Sequence, residues 1–287
     1  EGEEESGSTS GEVDNCNFKG ISFRAENYTG NDLRFYLSQT CGSIQITGCN
    51  FDGCHCTGFG GSLYVQQMCT IVIHNTIFSN SYTSHFLGGA CCIFQSYNPD
   101  AKTEFKDGKI KQIDVQYCCF EDCYGTSDSN LYGTALFTAT EHAILYFTSA
   151  VDCPGKGKAW HAKAAGAQFD IQAPTTTSKN VNITNGYSKF CGCIEYRYTN
   201  EGFFVYESIY NTEAMFIVSF TNINAIDLDL SLSNFVSSKL VWENENPYPG
   251  LIHVRSTDRT ERNIQISSFC FVDTDFGSEP NSKIISR

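Results

Sequence analysis

The sequence predicts an all-β chain folded as a right-handed, single-stranded parallel β-helix. Three observations predict it. A strand-plus-Phe template occurs five times, a Gly-rich element follows it at a similar distance, and sustained helical periodicity is nearly absent.

The template places two apolar residues two apart, then Phe five positions after the second. It reads Ile44, Ile46, Phe51; Ile71, Ile73, Phe78; Ile113, Val115, Phe120; Leu228, Leu230, Phe235; and Ile264, Ile266, Phe271. A degenerate sixth copy keeps Val13 and Phe18 but has Gly11 in the first position. Alternation at period two puts each apolar pair on one face of a short strand. A sandwich also uses short alternating strands, but it does not need the same inward residue at the same offset five times. A solenoid does, because each coil buries its apolar face only against its neighbours. Parallel crossovers are right-handed almost without exception, which sets the expected hand.

The second element is Gly60-Gly61-Ser62-Leu63, Gly88-Gly89-Ala90-Cys91 and Tyr132-Gly133-Thr134-Ala135. Glycine there permits a tight corner or a close backbone approach. Each copy leads into a short strand, read as Leu63-x-Val65, Cys91-x-Ile93 and Ala135-x-Phe137.

Phe51 and Phe78 are separated by about one solenoid coil. Between Phe78 and Phe120 lies a charged insertion near 98–109. The long gap from Phe120 to Phe235 has room for several coils whose marker has drifted. Val181-x-Ile183 and Ile194-x-Tyr196 read as strands inside it, beside a second insertion near 152–178. The one helix candidate, Ala159 to Phe169, is read as decoration on a coil or as a cap. Residues 1–10 form an acidic, Gly/Ser-rich flexible tail, and the β-helix runs from 11 to 287. The absence of an initiating Met and the strand-like Lys283–Arg287 suggest a processed chain or part of a longer one.

The net charge of −13 argues against nucleic acid and anionic lipid as partners, since both need a basic footprint. Aromatic content of 14% with only 18% charged residues argues against disorder. No apolar run is long enough for a transmembrane helix.

The alternation of Gly88-Gly89-Ala90-Cys91, with variants at Gly60 and Tyr132, and a Phe-centred motif resembles the repeats of chlamydial polymorphic outer membrane proteins and related trichomonad surface proteins. The Phe motif stands as Phe51-Asp52-Gly53-Cys54, Phe78-Ser79-Asn80-Ser81 and Phe120-Glu121-Asp122-Cys123. The family pattern ends in Asn, where this chain has Cys or Ser. The resemblance covers about residues 11–140 well and the last 60 in part. It implies a surface-displayed β-helix used in adhesion, and it brings no catalytic residues.

Fifteen cysteines leave at least one thiol unpaired or paired outside the chain. No Cys-x2-Cys knuckle occurs and His55 stands alone between Cys54 and Cys56, so no metal or cofactor is expected. Cys49 and Cys118 share one slot of the repeat, and Cys54 and Cys123 share another. Thr76 and Ser81 hold those slots in the intervening coil, which places the Cys pairs two coils and about 9–10 Å apart. That is too far for a disulfide. Most cysteines are therefore read as small buried groups interchangeable with Ser, Thr and Ala, with a few bonds open if the chain is extracellular.

Candidate chemistry is sparse. Asp227 with Asp229, and Asp273 with Asp275, place two carboxylates on one strand face, the pattern of an acid/base pair or a calcium site, but neither has a matching basic neighbour. Lys156, Lys158, His161 and Lys163 form the one local basic cluster. Tyr196, Tyr198, Phe203, Phe204, Tyr206 and Tyr210 form the densest aromatic stretch, readable as a partner surface or as core. Asn27 and Asn182 stand in glycosylation sequons, with Asn182 expected to point outward between Val181 and Ile183. The reading is a non-enzymatic cell-surface or extracellular protein acting in adhesion or in binding a glycan or protein partner. The alternatives are a carbohydrate-active β-helix enzyme (lyase or glycoside hydrolase) and a structural spacer.

Overall fold

The computed structural model describes residues 43–66, 70–84, 87–95, 111–126, 132–153, 167–223, 227–231, 233–240, 250–256 and 263–275, with strand backbone also at 10–14, 17–19, 22–23, 34–36 and 283–286. These residues contain strands and no helix. Every strand pair is parallel, and each sheet is ordered as the chain runs. The chain is a parallel β-helix.

Each coil begins with a five-residue strand of sheet 1, such as Ser43–Thr47 or Thr70–His74. One corner residue and one inward residue follow, and then a three-residue strand of sheet 2, such as Asn50–Asp52 or Ile77–Ser79. Sheets 1 and 2 each contain nine strands. Sheet 3 is short, with four two-residue strands from Ser22–Phe23 to Tyr124–Gly125. Sheet 4 closes each coil, from Arg34–Tyr36 through Leu63–Gln66 to Lys283–Ser286. In later coils its strands lengthen to Tyr187–Arg197 and Glu213–Ile223.

The repeat residues meet in register. Ile44 lies opposite Ile71, which lies opposite Ile113; Ile46, Ile73 and Val115 form the next column. Phe51, Phe78 and Phe120 form a third, with ring centroids 4.9 and 4.8 Å apart and nearly coplanar. All nine side chains are buried, as are Leu228, Leu230 and Phe235. Ile266 and Phe271 pack partly buried against the same core, and Ile264 is in register with Leu228. Burying one such aromatic or aliphatic side chain stabilises by about 1.5–3 kcal/mol, so each column is a running source of stability.

The drifted middle is a coil-by-coil exchange of volume. The Phe column continues as Ala150, Ile183 and Ile209 before returning to Phe235. Where Ala150 leaves space, Phe169 of sheet 4 enters and meets Phe120 edge-on at 5.6 Å. Sheet 1 likewise thins to Ala143, Thr176 and Gly202. Tyr196 and Phe220 fill that space from sheet 4 and pack on Phe204, at 4.4 and 5.1 Å. Close-packed interiors demand such compensation.

Three sequence expectations are corrected here. The insertion placed near 152–178 is partly regular coil, because Phe169–Gln172 and Thr175–Lys179 are strands of sheets 4 and 1. Phe169, read as the end of a helix, opens a strand; residues 159–166 lie outside the described residues, as do 1–9 and 98–109. The third Gly element is also shifted by one. Leu136 and Thr138 align with Cys91 and Ile93, while Phe137 faces outward with Tyr64, Cys92 and Ala139 in a second apolar cluster.

The Gly element has a steric cause. Gly60, Gly88 and Gly133 take φ of 67°, 62° and 64°. A Cβ on Gly89 would stand 2.0 Å from the Thr134 carbonyl of the next coil. Glycine at these positions permits neighbouring corners to nest.

Candidate binding surface at the first corner

The corner between sheets 1 and 2 has a left-handed residue in each coil where it is described. Its column contains Gly48, Asn75, Tyr117, Phe147, Asn180, Tyr206 and Ser268, with φ from 50° to 65°. Backbone bonds hold the column together: the Tyr117 N–H donates to the Tyr146 carbonyl, Phe147 to Lys179, and Asn180 to Val205, at 3.0 Å each. The corner after sheet 2 has the same conformation and uses Gly53, Asn80, Asp122, Asp152, Asn185, Asn211, Ser237 and Asp273. That second list is the chemistry the conformation favours, since Gly, Asn and Asp tolerate it and bulky side chains do not.

Tyr117, Phe147 and Tyr206 run against that preference. They are also exposed, at 55%, 47% and 46%. The Tyr117 and Phe147 rings stack at 5.0 Å and 4°. Lys179 Nζ lies 6.0 Å from the Tyr206 centroid. Toward the start of the strands that lead to this corner, the outer face of sheet 1 carries an open depression of about 330 Å³ lined by Thr175, Thr177, Glu201 and Phe203, with Phe203 46% exposed. The aromatic stretch read from sequence is therefore divided. Tyr196 and Phe204 are core, while Phe203, Tyr206 and Tyr210 face out.

Two buried charged groups were missed by sequence reasoning. Glu207 follows the corner residue Tyr206 and points into the core. Its Oε1 accepts hydrogen bonds from Tyr196 Oη at 2.6 Å and Ser178 Oγ at 2.8 Å. Burial pushes its carboxyl up to about 7, against the opposing effect of those donors. On the outer side of sheet 4, Asp170 and Glu195 occupy neighbouring strands. One Arg197 guanidinium nitrogen lies 3.0 Å from a carboxylate oxygen of each. It donates a hydrogen bond to Glu195, while the contact with Asp170 is electrostatic. Arg197 also lies under the Tyr132 ring at 4.5 Å. Burial raises the Asp170 carboxyl to about 7; Arg197 opposes this and Glu195 adds to it. Both Asp170 and Glu195 are buried, and Arg197 is partly exposed.

The inward slot after each corner explains the cysteines. At the first corner it contains Cys49, Thr76, Cys118, Thr148 and Ser233; at the second, Cys54, Ser81, Cys123, Cys153, Thr212, Ser238 and Thr274. Most donate to the carbonyl two residues back, as Cys118 does to Gln116 at 3.2 Å and Thr76 to His74 at 2.9 Å. Several also reach the preceding coil: Cys118 to Ile73, Cys123 to Phe78, Cys153 to Phe120. In most coils the slot contains a small buried donor, which Cys, Ser and Thr all supply, while Val181, Glu207 and Phe269 occupy it at the first corner and Gly186 at the second. Cys91, Cys92, Cys118, Cys119, Cys123, Cys153, Cys193 and Cys270 stand as free thiols. Cys153 lies one coil below Cys123, whose N–H meets its sulfur at 3.2 Å, a stacking the sequence reading did not identify.

The other expected sites fall as follows. Asn182 is exposed on sheet 2. Asp273 occupies a left-handed corner, and Asp275 pairs with Lys239 across a parallel bridge. Both places are set by backbone geometry. Asp229 is half-buried on the outer face of sheet 1. Asn27, Lys156, Lys158, His161, Lys163 and the side chain of Asp227 lie outside the described residues. His55 stacks on Tyr82 at 4.9 Å.

The class defined by this geometry is the parallel β-helix with a decorated corner. No family model, curated protein or solved structure matches the chain.

Proposed function

We propose that this chain is a non-enzymatic cell-surface or secreted β-helix protein that binds a glycan or protein partner through the first corner and the adjoining face of sheet 1. The observation that carries this reading is the set of exposed rings at Tyr117, Phe147 and Tyr206, held in a backbone conformation that disfavours them. Folding alone selects Gly, Asn or Asp at such corners, as the second corner does. Strained residues concentrate where they serve a ligand, and exposed aromatics supply contact area with little side-chain entropy to lose.

The test is a panel of immobilised glycans and extracellular-matrix proteins, probed with the wild type and with the triple variant Tyr117→Asn, Phe147→Asn, Tyr206→Asn. Retention on at least one surface, weakened about tenfold or more in the variant, is expected. Equal retention of both proteins on every bound surface overturns the assignment.

A further inference from the structure

We infer that the break in the aromatic ladder at Asn180 is a notch that receives one pyranose ring of a glycan between Phe147 and Tyr206. This inference rests on the binding role proposed for the same corner.

The ladder is continuous from Tyr117 to Phe147, whose rings cover one another. The next corner residue is Asn180, and the one after it is Tyr206. Phe147 and Tyr206 therefore flank a position with no ring. Coils repeat at the parallel-strand spacing, so two steps separate Phe147 from Tyr206 by about 9.5 Å. A flat ring sandwiched at contact distance on both faces needs about 7–8 Å between its walls. The extra width suits a puckered pyranose better than a planar aromatic group.

The chemistry around the notch points the same way. One face of the Phe147 ring is occupied by Tyr117, which leaves the other directed toward the Asn180 coil. An apolar ring face stacks on the C–H face of a sugar. The Asn180 amide forms the floor and makes no side-chain hydrogen bond among the described residues, in contrast to Asn211, which donates to Asn185 at 2.7 Å on the other corner. It is therefore placed to meet a hydroxyl. Lys179, over Tyr206, adds a cationic donor. One lysine in a chain of charge −13 does not build an anion site, which favours an uncharged sugar over a uronide or a sulfated one. The depression lined by Thr175, Thr177, Glu201 and Phe203 lies on the same two coils and gives adjoining sugar units a place to continue.

The experiment measures binding of neutral oligosaccharides built from glucose, N-acetylglucosamine, mannose or galactose by calorimetry and saturation-transfer NMR. Polygalacturonate and an aromatic-rich peptide are added as competing ligand classes. The proteins are the wild type, Asn180→Tyr, Phe147→Ala and the second-corner control Asn211→Gly. Asn180→Tyr fills the notch with a residue that this column already accommodates, so its melting temperature is expected to stay within a few degrees of the wild type. At least one neutral oligosaccharide should bind the wild type. Asn180→Tyr and Phe147→Ala should each weaken it about tenfold or more, and Asn211→Gly, on the second corner, less than threefold. Full binding by a folded Asn180→Tyr overturns the notch. So does binding of polygalacturonate or the peptide in place of every neutral sugar, although the corner would then still be a binding surface. Surface retention that is insensitive to removing all three rings overturns the corner itself, whatever the notch variants do.

Discussion

At the scale of single residues, the interior of this solenoid contains polar groups for identifiable reasons. Glu207 is one of these groups. Its folded carboxyl is raised from 4.5 to about 7 by burial, so the native state holds a proton that the unfolded chain releases. The stability this contributes is complete below pH 4.5 and is lost as pH rises through about 7. Two and a half units correspond to about 3 kcal/mol. Asp170, raised from 3.8 to about 7, acts in the same direction. Chemical denaturation from pH 5 to pH 8 should therefore show falling stability, and Glu207→Gln should flatten that slope. A slope unchanged in Glu207→Gln would show that Glu207 is not the group titrating. The slot cysteines give a second prediction. Cys118→Ser keeps the donor to Ile73 and Gln116 and should cost less than about 1 kcal/mol. Cys118→Ala loses both the donor and volume, and urea denaturation should show a cost of about 1–3 kcal/mol.

At the scale of the element, corners set what the strands cannot. The Gly88-Gly89 turn is nested between coils, and a Cβ on Gly89 would meet the Thr134 carbonyl at 2.0 Å. Gly89→Ala should destabilise by several kcal/mol or prevent soluble folding, measured against Ala90→Gly as a control in the same strand entry. Much of this was legible. Ile-x-Ile followed by Phe located the two main sheets in five coils, because inward residues that stack on their own kind must recur at one offset. The middle coils were not, since Ala150, Thr176 and Gly202 are matched by Phe169, Tyr196 and Phe220 from another sheet. Compensation across the core leaves no trace in a linear template. The one-residue error at Leu136 has the same origin, because both faces of Leu136–Ala139 are buried and period two disappears. The corner aromatics were visible as residues, but their exposure followed only once Tyr117 and Phe147 were placed in a left-handed column.

At the scale of the whole molecule, a solenoid divides its tasks by direction. Columns running along the axis stabilise it, each coil resting on its neighbours. The sides are left free to vary. Most left-handed corner positions carry Gly, Asn, Asp or Ser; aromatic rings stand there at Tyr117, Phe147 and Tyr206 of the first corner and at the half-buried Tyr198 after sheet 4. If the first-corner rings serve binding and not folding, the two properties must separate on substitution. Stability is then expected to behave oppositely to function, as it does where a site stores strain.

The most direct test measures both on one sample of the variant Tyr117→Asn, Phe147→Asn, Tyr206→Asn. Relief of the left-handed strain is worth about 1 kcal/mol per corner and offsets the lost Tyr117–Phe147 stacking. The expected result is a melting temperature equal to or above that of the wild type, together with loss of surface retention. A variant that melts well below the wild type while still binding would show that the rings hold the coils together, and would contradict the assignment of this corner as the binding surface.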